Sequence, residues 1–375
     1  MQLCETTFVT IIMKVSLMSL SNYRALGDSG LIVSPLALGT MTFGPGSWGA
    51  NQDESRAIFR KYAEAGGNFI DTADIYSGGV SEELTGEFIA EMNLRDQIVL
   101  ATKFGFNSSS SPLQTDRAKG NPNAGGAGSK NIHRALEGSL KRLKTDYIDL
   151  YWMHIWDGVT PVEEILQTLQ DLVRSGKIRY FGFSDMPAWV AMKAATLASE
   201  RGRPKPIAMQ LEYSLVARTI EREHSPVARE AKMGLIPWSP LAGGFLTGKY
   251  KKGNTADSGR LSGANPFGDS KFTEKNWQIL EVVREIAAQN DCSISQVSLS
   301  WLMSQPGVTS TLIGASKLSQ LQDNLGALEV ALTDDQKNKL SSASALQPEF
   351  SDALTTPFIR QLLYGGHSVK AWSER

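Results

Sequence analysis

The 375-residue chain is poor in cysteine and histidine, with two of the first, Cys4 and Cys292, and four of the second. The cysteines lie far apart without C-x-x-C spacing, which argues against a disulfide framework or a structural zinc site and suits a reducing compartment. The formal net charge is -1 and there is no long run of one sign, so neither nucleic acid nor an anionic membrane is an expected partner. The mildly apolar opening, "MQLCETTFVTIIMKVSLMSLSN", lacks a basic leader, is interrupted by Lys14 and is too short to span a bilayer. It reads as neither signal peptide nor anchor. Residues 1–21 read as a loosely ordered extension, or as an upstream start, since Met18 would open a chain running straight into "YRALGDSGLIVS". No G-x-G-x-x-G follows the first strand, so a Rossmann site is not supported. "GFSDM" lacks the last glycine of the hydrolase motif G-x-S-x-G. The expectation is a cytoplasmic small-molecule enzyme with no metal, monomeric or homo-oligomeric, folded as one domain from 22 to 375.

From Ser34 onward the chain alternates short β-rich runs with amphipathic stretches. The runs are "PLALGT", "NFIDTA", "IVLATK", "IDLYWMH", "IRYFGFS", "IAMQLEY", "LIPWSP" and "TLIGAS". They are near-continuously apolar, as strands of a parallel sheet covered by helices must be. Helical segments lie between them, several with a proline at the start (Pro161, Pro187) or a glycine after the end (Gly176, Gly307). Eight strand-then-helix units predict a (β/α)8 TIM barrel. Outside the count stand an expected hairpin at Gly27-Asp28-Ser29-Gly30 that would plug the barrel bottom, the amphipathic "KFTEKNWQILEVVREIAAQN", and one further helix after Thr333. The polar segments Phe106–Lys130, which holds "NAGGAGSK", and Lys251–Phe272 read as long loops, either functional lids or disordered.

A barrel presents its chemistry at the carboxyl ends of its strands. The second strand ends in Asp71, followed by Tyr76 in "NFIDTADIYSGGVSEE"; the third ends in Lys103 and the fourth in His154. Each alone has an ordinary explanation, because strand ends meet water and a Lys–Asp pair can be a plain salt bridge. Together they place an acid, an amine, an imidazole and a phenol at one mouth. A phenol titrates near 10, and a nearby ammonium favours its phenolate and lowers that value. Asp71 would hold Lys103 protonated, and His154 would donate to an incoming carbonyl oxygen. Such a set suits protonating an alkoxide as it forms.

"FIDTADIYSGGVSEELTGEFI", with Lys103 and His154, resembles the aldo-keto reductase family, and the likeness runs from Tyr23 to about Leu332. The resemblance implies reduction of aldehydes and ketones by NADPH, or the reverse oxidation with NADP+, without metal or flavin. Tyr76 would be the general acid and Asp71, Lys103 and His154 its partners. It further implies that Thr40 and Asp71 line the cofactor and that Ser184, Asp185 and Gln210 hold its carboxamide. Trp238 would stack on the nicotinamide, and Ser239, Pro240, Leu241, Gly243, Lys249 and Arg260 would surround the pyrophosphate. Gly314, Ser316, Lys317, Gln320, Asp323 and Asn324 would open the last barrel helix, where free N–H groups and the dipole favour a phosphate. Lys317 is the charge assigned to the 2′-phosphate; otherwise Ser316 caps a helix and Lys317 is merely solvated. Two positions depart from the family pattern, since Asp185 stands where asparagine is common and Asp323 where glutamate is.

Trp48, Ile75, Phe106 and Trp156 would form an apolar wall for substrate, or simply pack loops. The sequence does not separate bulky ketones, aryl aldehydes and deoxysugar ketones. Two alternatives to a reductase remain: an NADP-binding redox-sensing subunit with slow turnover, and a barrel using Lys103 for Schiff-base chemistry. The second is disfavoured because a lysine paired with Asp71 stays protonated.

Overall fold

The computed structural model describes residues 18–46, 49–107, 121–252, 261 and 271–370. Trp48, Arg260, residues 1–17 and most of the two long polar loops lie outside the described residues.

The eight expected strands all form: β3 (Leu36–Gly39), β4 (Phe69–Asp71), β5 (Val99–Phe104), β6 (Ile148–Met153), β7 (Ile178–Ser184), β8 (Ala208–Glu212), β9 (Gly234–Trp238) and β10 (Thr311–Gly314). They make one parallel sheet in the order β10-β3-β4-β5-β6-β7-β8-β9. Closure comes just before β10, where Leu235 donates to Gly307 O at 2.9 Å and accepts from the Thr309 amide at 2.9 Å. The product is the (β/α)8 barrel that the alternation predicts. Around it run α1 (Gln52–Glu64), α2 (Val80–Glu91), α3 (Ser129–Arg142), α4 (Val162–Arg174), α5 (Ala188–Glu200), α6 (His224–Glu230), α8 (Ile294–Met303) and α9 (Leu318–Leu325), with α7 (Glu274–Gln289) as the extra helix between β9 and α8. Among the described residues the tail carries three helices rather than one: α10 (Asp334–Ala343), α11 (Phe350–Leu354) and α12 (Pro357–Leu363). Pro348 and Pro357 interrupt what would otherwise be a single run, Pro357 sitting in the first turn of α12, where its missing N–H costs nothing.

Two apolar layers hold the barrel. Outside the sheet, strand residues such as Leu38, Ile70, Leu100, Tyr151 and Phe181 pack under the helices. Inside it, Phe69, Val99, Leu150, Trp152, Ala208 and Ile236 meet Leu26, Leu31 and Val33 of the hairpin formed by β1 (Arg24–Ala25) and β2 (Ile32–Val33). The hairpin fits because Gly27 adopts φ 58 and passes so near the barrel wall that a Cβ there would lie 2.4 Å from Ile207 O. With the bottom filled, the open mouth is at the other end, where β4, β5 and β6 deliver their last residues.

Candidate active site

Asp71 closes β4, Lys103 is the fifth of six residues in β5, and both side chains are fully buried. Lys103 Nζ donates to Asp71 Oδ1, to Thr72 O at 2.9 Å and to Tyr76 Oη at 3.4 Å. Burial alone would strip the ammonium of its proton, but the Asp71 carboxylate, with Tyr76, outweighs that and raises the Lys103 pKa above its ordinary value. His154 follows β6 and meets the Tyr76 ring edge-on at 5.8 Å. Burial, then repulsion by Lys103, drives the His154 pKa well below the usual imidazole value, so the ring is neutral. Its Nδ1 is buried and has no hydrogen-bond partner among the described residues. The four side chains expected together from the strand ends are together.

Tyr76 reaches over Lys103 because the chain turns sharply just after it. Ser77, Gly78 and Gly79 take φ of 49, 68 and 101, conformations that two glycines make inexpensive. The turn is pinned by Ser77 Oγ donating to Phe43 O at 3.1 Å and by the Asp74 amide donating to Lys103 O at 3.2 Å.

The other half of the mouth is built from the ends of β7 to β10. Ser184, the last residue of β7, is buried, and Asp185 follows with φ 41, its Oδ1 accepting from Trp238 Nε1 at 3.0 Å. After Trp238 the backbone coils tightly, with φ of 52 at Ser239, 49 at Ala242, 64 at Gly243 and 91 at Gly244. Ser239 Oγ accepts the Gly243 amide at 3.2 Å, which locks that coil over Pro240 and Leu241. Lys249 lies beside it, its Nζ 5.0 Å from the Tyr250 ring centre. Past Gly314, the Ser316 amide and hydroxyl bond Gln320 Oε1 at 2.9 and 3.3 Å, and Lys317 takes the cap position of α9 with its side chain exposed. Asn324 Nδ2 reaches Gly314 O at 3.4 Å.

The sequence profile described as the Aldo/keto reductase family matches residues 35–345, a span that contains all eight strands and every residue of the mouth. The chain belongs to that family. Among curated relatives, it is 37% identical over 318 residues to an uncharacterised oxidoreductase of Bacillus subtilis (83% of this chain, 92% of the relative). It is 33% identical over 345 residues to norsolorinic acid reductase B of Aspergillus parasiticus (90% and 88%). Versiconal hemiacetal acetate reductase of the same fungus is 34% identical over 325 residues (84% and 94%).

In this aldo/keto reductase several expected cofactor residues are partly committed to the protein itself. The Thr40 hydroxyl is buried in the wall, bonded to Ser81 Oγ at 2.8 Å and Asp71 O at 3.3 Å. Gln210 spends its amide N–H on Asp71 Oδ2 at 3.0 Å, leaving its carbonyl oxygen for a ligand. Asp323 accepts from Gln296 Nε2 at 3.2 Å and is thereby held toward α8. Of the expected wall, Phe106 is 38% exposed and packs edge-on against His154 at 4.9 Å, while Ile75 is half-buried beside Tyr76. Trp156 stands further out, donating to Thr160 O at 3.3 Å and meeting Trp189 edge-on.

Two acids beneath the mouth escaped the strand-end argument. Glu82, fully buried in the first turn of α2, accepts from Thr102 Oγ1 and Arg142 Nε, both at 2.6 Å, and so ties α2 and α3 to the residue preceding Lys103. Asp74 is 2% exposed with Oδ1 unpartnered among the described residues. Burial, reinforced by Glu82, pushes its pKa up to about 8. In the sequence, "DTADIY…SEEL" shows both only as charges among other polar residues at a helix entry, with no signal of burial. Among the described residues, no group of three or more His, Cys, Asp and Glu could hold a metal ion, and no helix is long and apolar enough to cross a membrane.

Proposed function

We propose that the chain is an NADPH-dependent carbonyl reductase, converting an aldehyde or ketone to the alcohol and capable of the reverse reaction. The observation that carries this reading is the buried Asp71–Lys103 pair with Tyr76 Oη 3.4 Å from the ammonium, beside a neutral imidazole. The far half of the mouth fits a nicotinamide dinucleotide: an indole face at Trp238, a buried Ser184 hydroxyl and a free Gln210 carbonyl beside it, and a coil whose residues 242 to 244 carry no side chain beyond Cβ. When bound, that cofactor supplies the hydride. Trp238 would take the ring and Ser184, Asp185 and Gln210 the carboxamide. Ser239, Pro240, Leu241, Gly243 and Lys249 would take the pyrophosphate, and Lys317 with Ser316 and Gln320 the 2′-phosphate at the N-terminus of α9.

Tyr76 gives its proton to the substrate oxygen. The Lys103 ammonium beside it stabilises the phenolate that remains, and Asp71 keeps that ammonium charged. His154, with Nδ1 shut away, carries its proton on Nε2 and donates to the same oxygen, fixing the carbonyl in line with the phenol. Because the imidazole is neutral, it orients without competing as the acid. Phe106, half-open against His154, makes the wall apolar and aromatic, which favours a bulky or aryl carbonyl compound; relatives are named as reductases of norsolorinic acid and of versiconal hemiacetal acetate. The reading includes one domain over residues 22–375 and a cytoplasmic location, where NADPH is supplied.

The test is oxidation of NADPH against a panel of aldehydes, ketones and quinones, with Tyr76→Phe in parallel. Loss of a positioned acid lowers turnover by about 10²–10⁴-fold, with cofactor affinity nearly unchanged. Full turnover in Tyr76→Phe would remove the tyrosine from the mechanism, and slow turnover on every substrate would favour the redox-sensing subunit.

A further inference from the structure

The charges at the mouth do not cancel. Asp71 and Lys103 neutralise each other in a pair closed to water, and His154 is neutral. Glu212, at the end of β8, is paired with Lys271 at 2.9 Å. Asp185 alone among these has no ion pair with a described residue; its one fixed partner is the Trp238 indole N–H, a neutral donor. The left-handed turn at Asp185 ends β7 and aims the carboxylate at the indole rather than outward along the strand. The side chain is open to the mouth yet walled by protein on most sides. The consequent loss of hydration, with Glu212 nearby, lifts its pKa to about 6 against the pull of Trp238 and Lys103. It is therefore mostly ionised at neutral pH.

A nicotinamide ring held by Trp238 would lie beside the carboxylate that accepts from the same indole at 3.0 Å, and such a ring carries a positive charge in one oxidation state and none in the other. The geometry points to Asp185 as the residue that discriminates between the two states of the cofactor, binding NADP+ more tightly than NADPH through one uncompensated negative charge. Asparagine at this position would serve both states alike, since its amide can bond a carboxamide but has no charge to offer a pyridinium. The enzyme is thereby biased toward holding oxidised cofactor, which on the enzyme favours the NADP+ and alcohol side of hydride transfer.

This inference rests on the cofactor reading proposed above, and the test separates the two. Dissociation constants for NADP+ and NADPH are measured by quenching of tryptophan fluorescence on the wild type and on Asp185→Asn at about pH 8. In the wild type the ratio of the NADPH constant to the NADP+ constant is expected to exceed that of the variant by about tenfold, the size of one partly screened unit-charge interaction. A second arm needs no variant: lowering the wild-type sample to about pH 5.5 protonates Asp185 and should move the ratio toward the asparagine value. The 2′-phosphate is common to both ligands and cancels. If both cofactors bind and neither the substitution nor the pH moves the ratio, Asp185 serves only as a hydrogen-bonding partner and the inference is overturned. Failure of the wild type to bind either cofactor overturns the reading beneath it, and this inference with it.

Discussion

Replacing Asp71 with asparagine would remove one charge from a pair that water does not reach, since both side chains are 0% exposed. Removing one member of a buried ion pair typically costs roughly 3–5 kcal/mol, because the surviving charge is left in a low-dielectric site. Lys103 then has only neutral acceptors, Thr72 O, the Tyr76 hydroxyl and the amide oxygen introduced at position 71. In the wild type the folded Lys103 pKa is raised, so the pair stabilises the fold below the ordinary lysine value and that contribution is lost as pH rises through the folded pKa. In the variant the balance inverts. Burial becomes the dominant influence, the folded pKa drops below the unfolded one, and the unfolded chain binds the extra proton. The deficit is then full at neutral pH and recedes as the solution approaches the ordinary lysine pKa of 10.5. Urea denaturation followed by tryptophan fluorescence at about pH 7 and about pH 9.5 measures this, with turnover recorded on the same samples. The expected result is a midpoint lowered more at the lower pH, together with slow turnover as Tyr76 loses its cationic neighbour. An unchanged midpoint at neutral pH, or a deficit that grows with pH, would refute the account.

Asp74→Asn tests the buried acid beneath the turn. With a folded pKa of about 8 against 3.8 unfolded, Asp74 binds its proton more tightly in the folded chain, so the wild type loses stability as pH rises between those values. The variant lacks that slope and should be the more stable by on the order of a few kcal/mol at neutral pH; parallel pH-dependent denaturation curves would contradict it. Lys317→Ala should raise the KM for NADPH by about an order of magnitude, as expected for one lost charge-assisted phosphate contact, with KM for NADH little changed. An unaltered NADPH/NADH ratio would show that the phosphate lies elsewhere.

Legibility from sequence followed the physics of each element. The eight strands were readable because a parallel strand covered on both faces must be apolar throughout, and Asp71, Lys103 and His154 because a barrel exposes functional groups only where such runs stop. The hairpin was readable from its turn residues. The split of the tail into three helices was marked by Pro348 and Pro357, yet the weight of those breakers against short helical runs was not. What sequence could not convey were partnerships across the barrel. The hydroxyl of Thr40 is taken up by Ser81, and the amide of Gln210 by Asp71, through contacts 41 and 139 residues apart. Glu82 and Asp74 look like solvated helix-entry charges until the packing of α2 against α3 encloses them.

Asp71 is gripped from two sides, by Lys103, 32 residues along the chain, and by Gln210, 139 residues along. The first grip is available once neighbouring strands pair. The second exists only when β8 has come round to face β4 across a finished cylinder. The carboxylate thus acts as a latch between early and late parts of the polypeptide, and the proton-delivering role proposed for this group has its full set of partners only in the closed barrel.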